Sequence, residues 1–177
     1  MSEEKKEINQ EDKVKERSKK MIDLLNAVVD MDSKDFPVPP FTKWLNGKIK
    51  HAEYGKVEIF LVVRPEMANP TGLVHGGVQS AMLDDIIGIT TATLGLEGFL
   101  ITVDFHVDFI GKAKVGDTIV ASAEIIRIGK NIVNAKASLT DKAGNIIAIG
   151  SSNLLKTSYK PDYVKNVDAR GNDLNLK

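Results

Sequence analysis

Segment 69–85 contains residues that could bind and stabilise a negative charge. It reads Asn-Pro-Thr-Gly-Leu-Val-His-Gly-Gly-Val-Gln-Ser-Ala-Met-Leu-Asp-Asp, with Gly76 and Gly77 at the start of a long apolar run. Glycines that open a helix let a ligand approach the free backbone N–H groups, and the helix dipole favours negative charge there. The pattern therefore indicates a site for an oxyanion or a phosphate, although a simple junction between loop and helix would use the same glycines.

Two adjacent carboxylates, Asp84 and Asp85, follow in the helix that the apolar run predicts from Gly76 to about Leu94. At 100° per residue, Asp84 falls on a narrow stripe of small and polar residues, whereas the other faces are apolar. Such a helix should be largely buried. An ionised carboxylate in it lowers the stability of the fold unless the charge is paired, which indicates a functional role for Asp84. Asp85 falls among apolar neighbours that should raise its pKa. These arguments leave open which carboxylate works.

The spacing between the glycines and the carboxylate indicates two chains per site. Asp84 lies about 12 Å from Gly76 along the helix axis, since each of the intervening residues rises 1.5 Å. That distance is too great for both residues of one chain to act on one small carbonyl group. Two helices that meet antiparallel across a twofold axis would bring Gly76 of one copy to Asp84 of the other and create two equal sites.

Hydrophobic periodicity predicts the elements that position this segment. Alternating or β-branched runs predict strands at 48–53, 56–63, 99–109, 118–128, 132–140 and 146–156, with hairpin-type loops within the first pair and between the last three. The helix follows the first two strands. This order predicts an α+β fold in which one antiparallel sheet wraps around one long apolar helix.

Composition limits the remaining classes of protein. The 177 residues suit one domain, and 24 Lys and Arg balance 24 Asp and Glu, which gives no general field for nucleic acid. The chain has no cysteine, so it has neither disulfides nor a thiolate nucleophile. It also has no apolar stretch typical of a signal peptide or a membrane span. We expect a soluble, cytoplasmic protein with no membrane or nucleic-acid partner.

The chain is expected to divide into three parts. Residues 1–40 form a charged N-terminal extension with an amphipathic helix, which the three prolines at 37, 39 and 40 separate from the rest. Residues 41–159 form the main domain, and residues 160–177 form a polar C-terminal tail. The chemistry predicted above falls entirely in the main domain.

Six residues of segment 69–85 allow a comparison with a known family: Asn69, Gly72, His75, Gly76, Gly77 and Asp84. In type and spacing they resemble the hotdog-fold acyl-CoA thioesterases, particularly the phenylacetic-acid-degradation group. The resemblance covers about residues 44–156. It implies an antiparallel sheet around one long central helix, and subunits that pair as a homodimer or as a tetramer of two dimers. It also implies hydrolysis of an acyl-CoA to a free acid and coenzyme A, with no cofactor besides the coenzyme A of the substrate.

The resemblance also assigns roles to these residues. Asp84 corresponds to the general base or nucleophile, and the backbone amides of Gly76 and Gly77 correspond to the oxyanion hole. Asn69 and His75 correspond to residues that orient the water, the substrate or the loop. A positioned base and a preformed oxyanion donor are what hydrolysis of a thioester requires.

Three residues outside the segment complete the predicted site. Thr102, in the strand after the helix, corresponds to a Ser or Thr that positions the attacking water. Arg127 and Lys130 flank the turn at 129–131 and are predicted to bind the phosphates of coenzyme A. A solvated pair of surface cations is the simpler alternative for Arg127 and Lys130.

Two other interpretations are open. A non-catalytic hotdog module that binds acyl-CoA as a sensor would share the fold, although the presence of Asp84 argues against it. Asp104, His106 and Asp108 alternate along one strand and could converge on a metal ion. Such alternation is also typical of a polar strand face, and we expect no metal site.

Overall fold

The computed structural model describes residues 9–159. Within this range the helices are α1 (Gln10–Ala27), α2 (Pro40–Leu45) and α3 (Gly76–Ala92). The strands are β1 (Lys48–Glu53), β2 (Lys56–Val62), β3 (Leu100–Phe109), β4 (Thr118–Ile128), β5 (Ile132–Thr140) and β6 (Ile146–Lys156). The predicted strands and the long helix are confirmed. The first eight residues of the predicted extension and the predicted tail at 160–177 lie outside the described residues.

The strands form one antiparallel sheet in the order β1-β2-β4-β5-β6-β3. Helix α3 packs across the sheet and contacts β2 to β6. Its fully buried apolar side chains, which form the centre of the apolar core, are Met82, Leu83, Ile86 and Ile87. The predicted α+β arrangement, with a sheet around one long helix, is therefore confirmed. None of the helices within residues 9–159 is long and apolar enough to cross a membrane.

The two edges of the sheet have different surroundings. At the β1 edge, the side chain of Asn26 in α1 donates to Ala52 O at 2.8 Å and accepts from Ala52 N–H at 3.0 Å. Helix α1 thus occupies backbone groups that an edge strand leaves open. The β3 edge instead carries exposed apolar side chains, with exposed fractions of 44% for Ile101, 55% for Val103 and 55% for Phe109. Within residues 9–159, the outer edge of β3 pairs with no other strand.

A β-bulge in β3 determines which of its residues face the helix. The register with β6 shifts between Thr102 and Asp104, so Val103 is the extra residue. Without the bulge, Thr102 would point away from the face that carries Phe105 and Phe109. Because the bulge inserts one residue, Thr102 faces α3 together with them.

Helix α1 docks against the chain that follows α3 through polar contacts. Ser18 Oγ donates to Thr93 O at 2.6 Å, and Arg17 Nε donates to Gly95 O at 2.9 Å. Gly95 has a φ of 66°, and a Cβ at this position would lie 2.2 Å from Val14 O. The absence of a side chain at Gly95 therefore permits the close approach of α1.

Replacement of Gly95 by alanine is expected to reduce the free energy of unfolding by about 3 kcal/mol, since the methyl group meets the α1 backbone and the left-handed conformation is strained. Gly144→Ala is the matched control, because its φ is 88° and nothing lies within 4 Å of an added Cβ. The control should lose about 1 kcal/mol, the cost of the backbone conformation alone. Urea denaturation measures both losses, and equal losses would contradict the docking of α1 at Gly95.

Candidate active site

The start of α3 leaves one backbone donor available. His75 is the N-cap, and its Nδ1 accepts a hydrogen bond from Gly77 N–H at 2.9 Å. The N–H groups of Val78 and Gln79 donate to His75 O at 2.9 and 3.0 Å. The first N–H groups of a helix have no partner within it, and no described residue accepts a hydrogen bond from Gly76 N–H. Gly76 N–H is thus a free donor at the positive end of the helix dipole.

The imidazole of His75 holds the turn that precedes this donor. Because Nδ1 accepts a hydrogen bond, the neutral ring carries its proton on Nε2. A Cβ on Gly77 would lie 3.1 Å from Nδ1, so glycine at this position leaves room for the ring. Of the two amides predicted for the oxyanion hole, Gly77 N–H is occupied by His75, and Gly76 N–H remains available.

Asn69 organises the loop that leads to the helix. Its Oδ1 accepts from Thr71 N–H at 2.9 Å, from Thr71 Oγ1 at 2.6 Å and from Leu73 N–H at 3.3 Å. These are the contacts of an Asx turn, in which the side chain replaces a backbone acceptor. They give Asn69 a role in orienting the loop. Contact of Asn69 with water or substrate stays a prediction.

Asp84 lies on an open stripe of α3 and is held by the neighbouring strand. Its side chain is exposed, and Thr102 Oγ1 donates to Asp84 Oδ1 at 3.0 Å. Gly77 and Gly88 on the same stripe are also exposed, and a Cβ at Gly88 would meet nothing within 4 Å. The prediction that α3 is largely buried is confirmed for its other faces. The described part of the chain leaves this stripe uncovered.

Asp85 has a different environment from its neighbour. It is partly buried, and Thr42 Oγ1 of α2 donates to Asp85 Oδ1 at 2.7 Å. Burial raises the pKa of Asp85 to about 6, with a smaller contribution from the charge of Asp84, while the hydrogen bond from Thr42 opposes the increase. The direction of this shift is the one predicted from the apolar neighbours.

Asp85→Asn is expected to stabilise the protein above about pH 6. Because the pKa is raised in the folded state, folding favours the protonated carboxyl group of Asp85. The contribution of this protonated group to stability is complete below about pH 4 and disappears as the pH rises through about 6. The shift corresponds to on the order of 3 kcal/mol, and asparagine keeps an acceptor for Thr42 without the charge. Urea denaturation from pH 4 to 8 should show that the free energy of unfolding of Asp85→Asn exceeds that of the wild type by an amount that increases with pH. A variant no more stable than the wild type at pH 8 would contradict this expectation.

The two cations predicted to bind phosphate lie at the Thr102 end of the sheet. Leu155 pairs with the first residue of β5, which follows the turn, and with Ile101, which precedes Thr102. Arg127 and Lys130 are both exposed at this turn. The structure thus places two accessible cations at this end of the sheet, and their binding to coenzyme A stays a prediction.

The alternating polar residues of β3 lie on the sheet face away from α3. His106 Nε2 is 3.3 Å from Asp108 Oδ1, while Asp104 Oδ2 accepts a hydrogen bond from Asn153 Nδ2 at 2.9 Å. Across residues 9–159, no group of three or more His, Cys, Asp or Glu side chains is arranged to hold a metal ion. Asp104, His106 and Asp108 therefore take part in polar pairs on this face.

Two contacts near the site are not predictable from the sequence. One joins Thr42 to Asp85, and the other places the ring of Phe109 on Gly76, with ring atoms 3.4 to 3.8 Å from the position of a Cβ on Gly76. Each contact joins segments that are far apart in the sequence. Local periodicity and motif spacing contain no signal for either of them.

Comparison with known proteins identifies the family of this chain. The model of the thioesterase superfamily matches residues 71–148. Human acyl-coenzyme A thioesterase 13 is 32% identical over 99 residues, which make up 54% of this chain and 69% of that protein.

Solved structures extend the similarity to a larger share of the chain. A phenylacetic acid degradation-related protein from Ralstonia eutropha JMP134 is 27% identical, with a TM-score of 0.65 over 76% of this chain and 98% of that chain. A hypothetical thioesterase protein from Streptococcus pneumoniae TIGR4, solved with coenzyme A, shares the fold at 19% identity. Its TM-score is 0.61 over 66% of this chain and 92% of that chain. The predicted hotdog fold is therefore confirmed, and the chain belongs to the thioesterase superfamily of thioester hydrolases.

Proposed function

We propose that the protein is an acyl-CoA thioesterase whose active sites are each shared by two copies of the chain. The observation that supports this most strongly is the arrangement on α3. An exposed carboxylate, Asp84, is held by Thr102, and a free backbone donor, Gly76 N–H, lies at the start of the same open stripe. Membership of the superfamily supports the reaction, and the relative named for acyl-coenzyme A supports the substrate class.

Asp84 acts in this proposal as the general base or the nucleophile. As a base, it takes a proton from the water that attacks the thioester carbonyl carbon. As a nucleophile, it attacks that carbon itself, and water then hydrolyses the resulting anhydride. Thr102 donates to Oδ1, which leaves Oδ2 free for the water or the substrate.

Gly76 N–H supplies the oxyanion donor. The carbonyl oxygen becomes negative when its carbon is attacked, and a preformed donor at the positive end of a helix stabilises that charge. Collapse of the intermediate breaks the carbon–sulfur bond, and coenzyme A leaves as a thiolate that then takes a proton. Because a thiolate leaves readily, these steps need no resident cofactor or metal ion.

The open stripe and the open sheet edge support the sharing of the site. Within one chain the carboxylate and the donor are about 12 Å apart along the helix. A twofold axis across the middle of β3 would bring Thr102 and Asp84 of one copy to Phe109 and Gly76 of another, with both pairs on the helix side of the sheet. It would also cover the exposed side chains of Ile101 and Val103 on β3. We therefore include a homodimer, or a tetramer of two dimers, in the proposal.

Release of free thiol from a panel of acyl-CoA esters tests the function. The panel includes acetyl, medium-chain, long-chain and aromatic acyl groups, and the lack of cysteine removes any background from the protein. We expect one thiol released per acyl-CoA consumed. Binding of acyl-CoA without release of thiol would overturn the assignment as an enzyme and favour the sensor module. Absence of both would overturn the acyl-CoA assignment.

A further inference from the structure

We propose that Phe109 contacts the acyl group of the substrate and limits the acyl groups that the site accepts. This inference rests on the proposed thioesterase function and adds a residue that determines specificity. The supporting observation is that the ring of Phe109 lies against Gly76, whose N–H is the free donor at the start of α3.

The ring of Phe109 lies directly against Gly76. Its Cζ, Cε1 and Cε2 atoms are 3.4, 3.5 and 3.8 Å from the position that a Cβ on Gly76 would occupy. A carbonyl oxygen bound by Gly76 N–H would lie about 2.9 Å from that nitrogen. The carbon atoms attached to this carbonyl group would therefore be within reach of the ring.

The exposure of Phe109 indicates a role in binding rather than in the core. The side chain is 55% exposed although it faces α3, so about half of it remains accessible within its own chain. An exposed aromatic ring beside a polar donor is typical of a surface that covers an apolar part of a ligand. It would also exclude water from one side of Gly76 N–H, which strengthens a hydrogen bond to the oxyanion.

The position of the surface cations indicates which part of the substrate meets the ring. Arg127 and Lys130 lie at the Thr102 end of the sheet. Thr102 pairs with Leu154 and Phe109 with Ala148, six residues apart on β6, so the two residues lie about 20 Å apart along the sheet. In the shared site Thr102 and Phe109 come from different copies, so a coenzyme A whose phosphates contact these cations, as predicted, extends towards the copy that supplies Thr102. The acyl group then lies on the side of Phe109.

A ring this close to the carbonyl group leaves little room for a branch on C2 of the acyl group, the carbon next to the carbonyl carbon. The test compares kcat/KM for a straight-chain acyl-CoA that the wild type hydrolyses with kcat/KM for its 2-methyl derivative. Phe109→Ala should raise the ratio of branched to straight substrate about tenfold, since one methyl group in an apolar pocket has an effect of this size. Phe109→Trp should lower the ratio. Ile110→Ala, at a neighbouring residue with 58% exposure, is the matched control and should leave the ratio unchanged.

The outcomes separate this inference from the function on which it rests. Hydrolysis with an unchanged ratio in both Phe109 variants would overturn the inference and leave the thioesterase in place. An equal loss of kcat/KM on both substrates would show a merely structural role and would also overturn it. No thiol release by the wild type from any acyl-CoA would overturn the proposed function and the inference together. If Phe109→Ala does not fold, Phe109→Leu should raise the ratio by a smaller factor, and no increase would count against the inference.

Discussion

Asp84→Asn is expected to lower kcat about a thousandfold, because the amide has the shape of the carboxylate but cannot act as a base or a nucleophile. The side chain is exposed, and its oxygen can still accept the hydrogen bond from Thr102. The free energy of unfolding should therefore change little. Thiol release and urea denaturation of the same preparation measure the two effects separately.

The adjacent carboxylate provides the matched control for this variant. Asp85→Asn keeps an acceptor for Thr42 and lies outside the proposed machinery, so it should retain most of the wild-type kcat. It should also be more stable than the wild type at neutral pH, because burial raises the pKa of Asp85. A large loss of kcat in Asp85→Asn with little loss in Asp84→Asn would assign the chemistry to the other carboxylate.

Gly76→Pro is expected to lower kcat about a hundredfold, because proline removes the one backbone donor assigned to the oxyanion. Gly76 is the first residue of α3, a position where proline is well accepted. His75 precedes it with a ψ of 139°, which is compatible with a following proline. The helix should therefore form as before, and the loss should appear in kcat.

Gly76→Ala separates the loss of the donor from the effect of added bulk. Alanine keeps the N–H group, and its Cβ would lie 3.4 Å from the ring of Phe109, which is ordinary van der Waals contact. We expect a much smaller loss of kcat than for proline. Steady-state thiol release with both variants makes the comparison, and equal losses would indicate that crowding rather than the missing donor is responsible.

The strands and the long helix were predictable because local patterns determine them. Segments 118–128, 132–140 and 146–156 combine β-branched residues with loops suited to hairpins, and the observed strands have the same bounds. The bulge at Val103 was not predictable, because apolar and polar residues keep alternating from Ile101 to Phe109 although the extra residue reverses the faces. The covering of the β1 edge by Asn26 depends on tertiary docking and was also not predicted.

The candidate site was predictable in part for a similar reason. The positions of Asp84 and Gly76 on α3 follow from helical spacing, and the pKa shift of Asp85 follows from its apolar neighbours. The hydrogen bond from Thr42 to Asp85 and the ring of Phe109 on Gly76 join distant segments, which no local pattern reveals.

Recovery of activity in mixed dimers tests the shared site most directly. Chains with Asp84→Asn and chains with Gly76→Pro, each nearly inactive alone, are produced together with different affinity tags so that mixed dimers can be counted. A mixed dimer contains one site with both wild-type groups, and random pairing makes about half of the dimers mixed. Sites shared by two chains should give thiol release at about one quarter of the wild-type rate per chain. Mixed dimers that release no more thiol than either variant alone would contradict the sharing of the site.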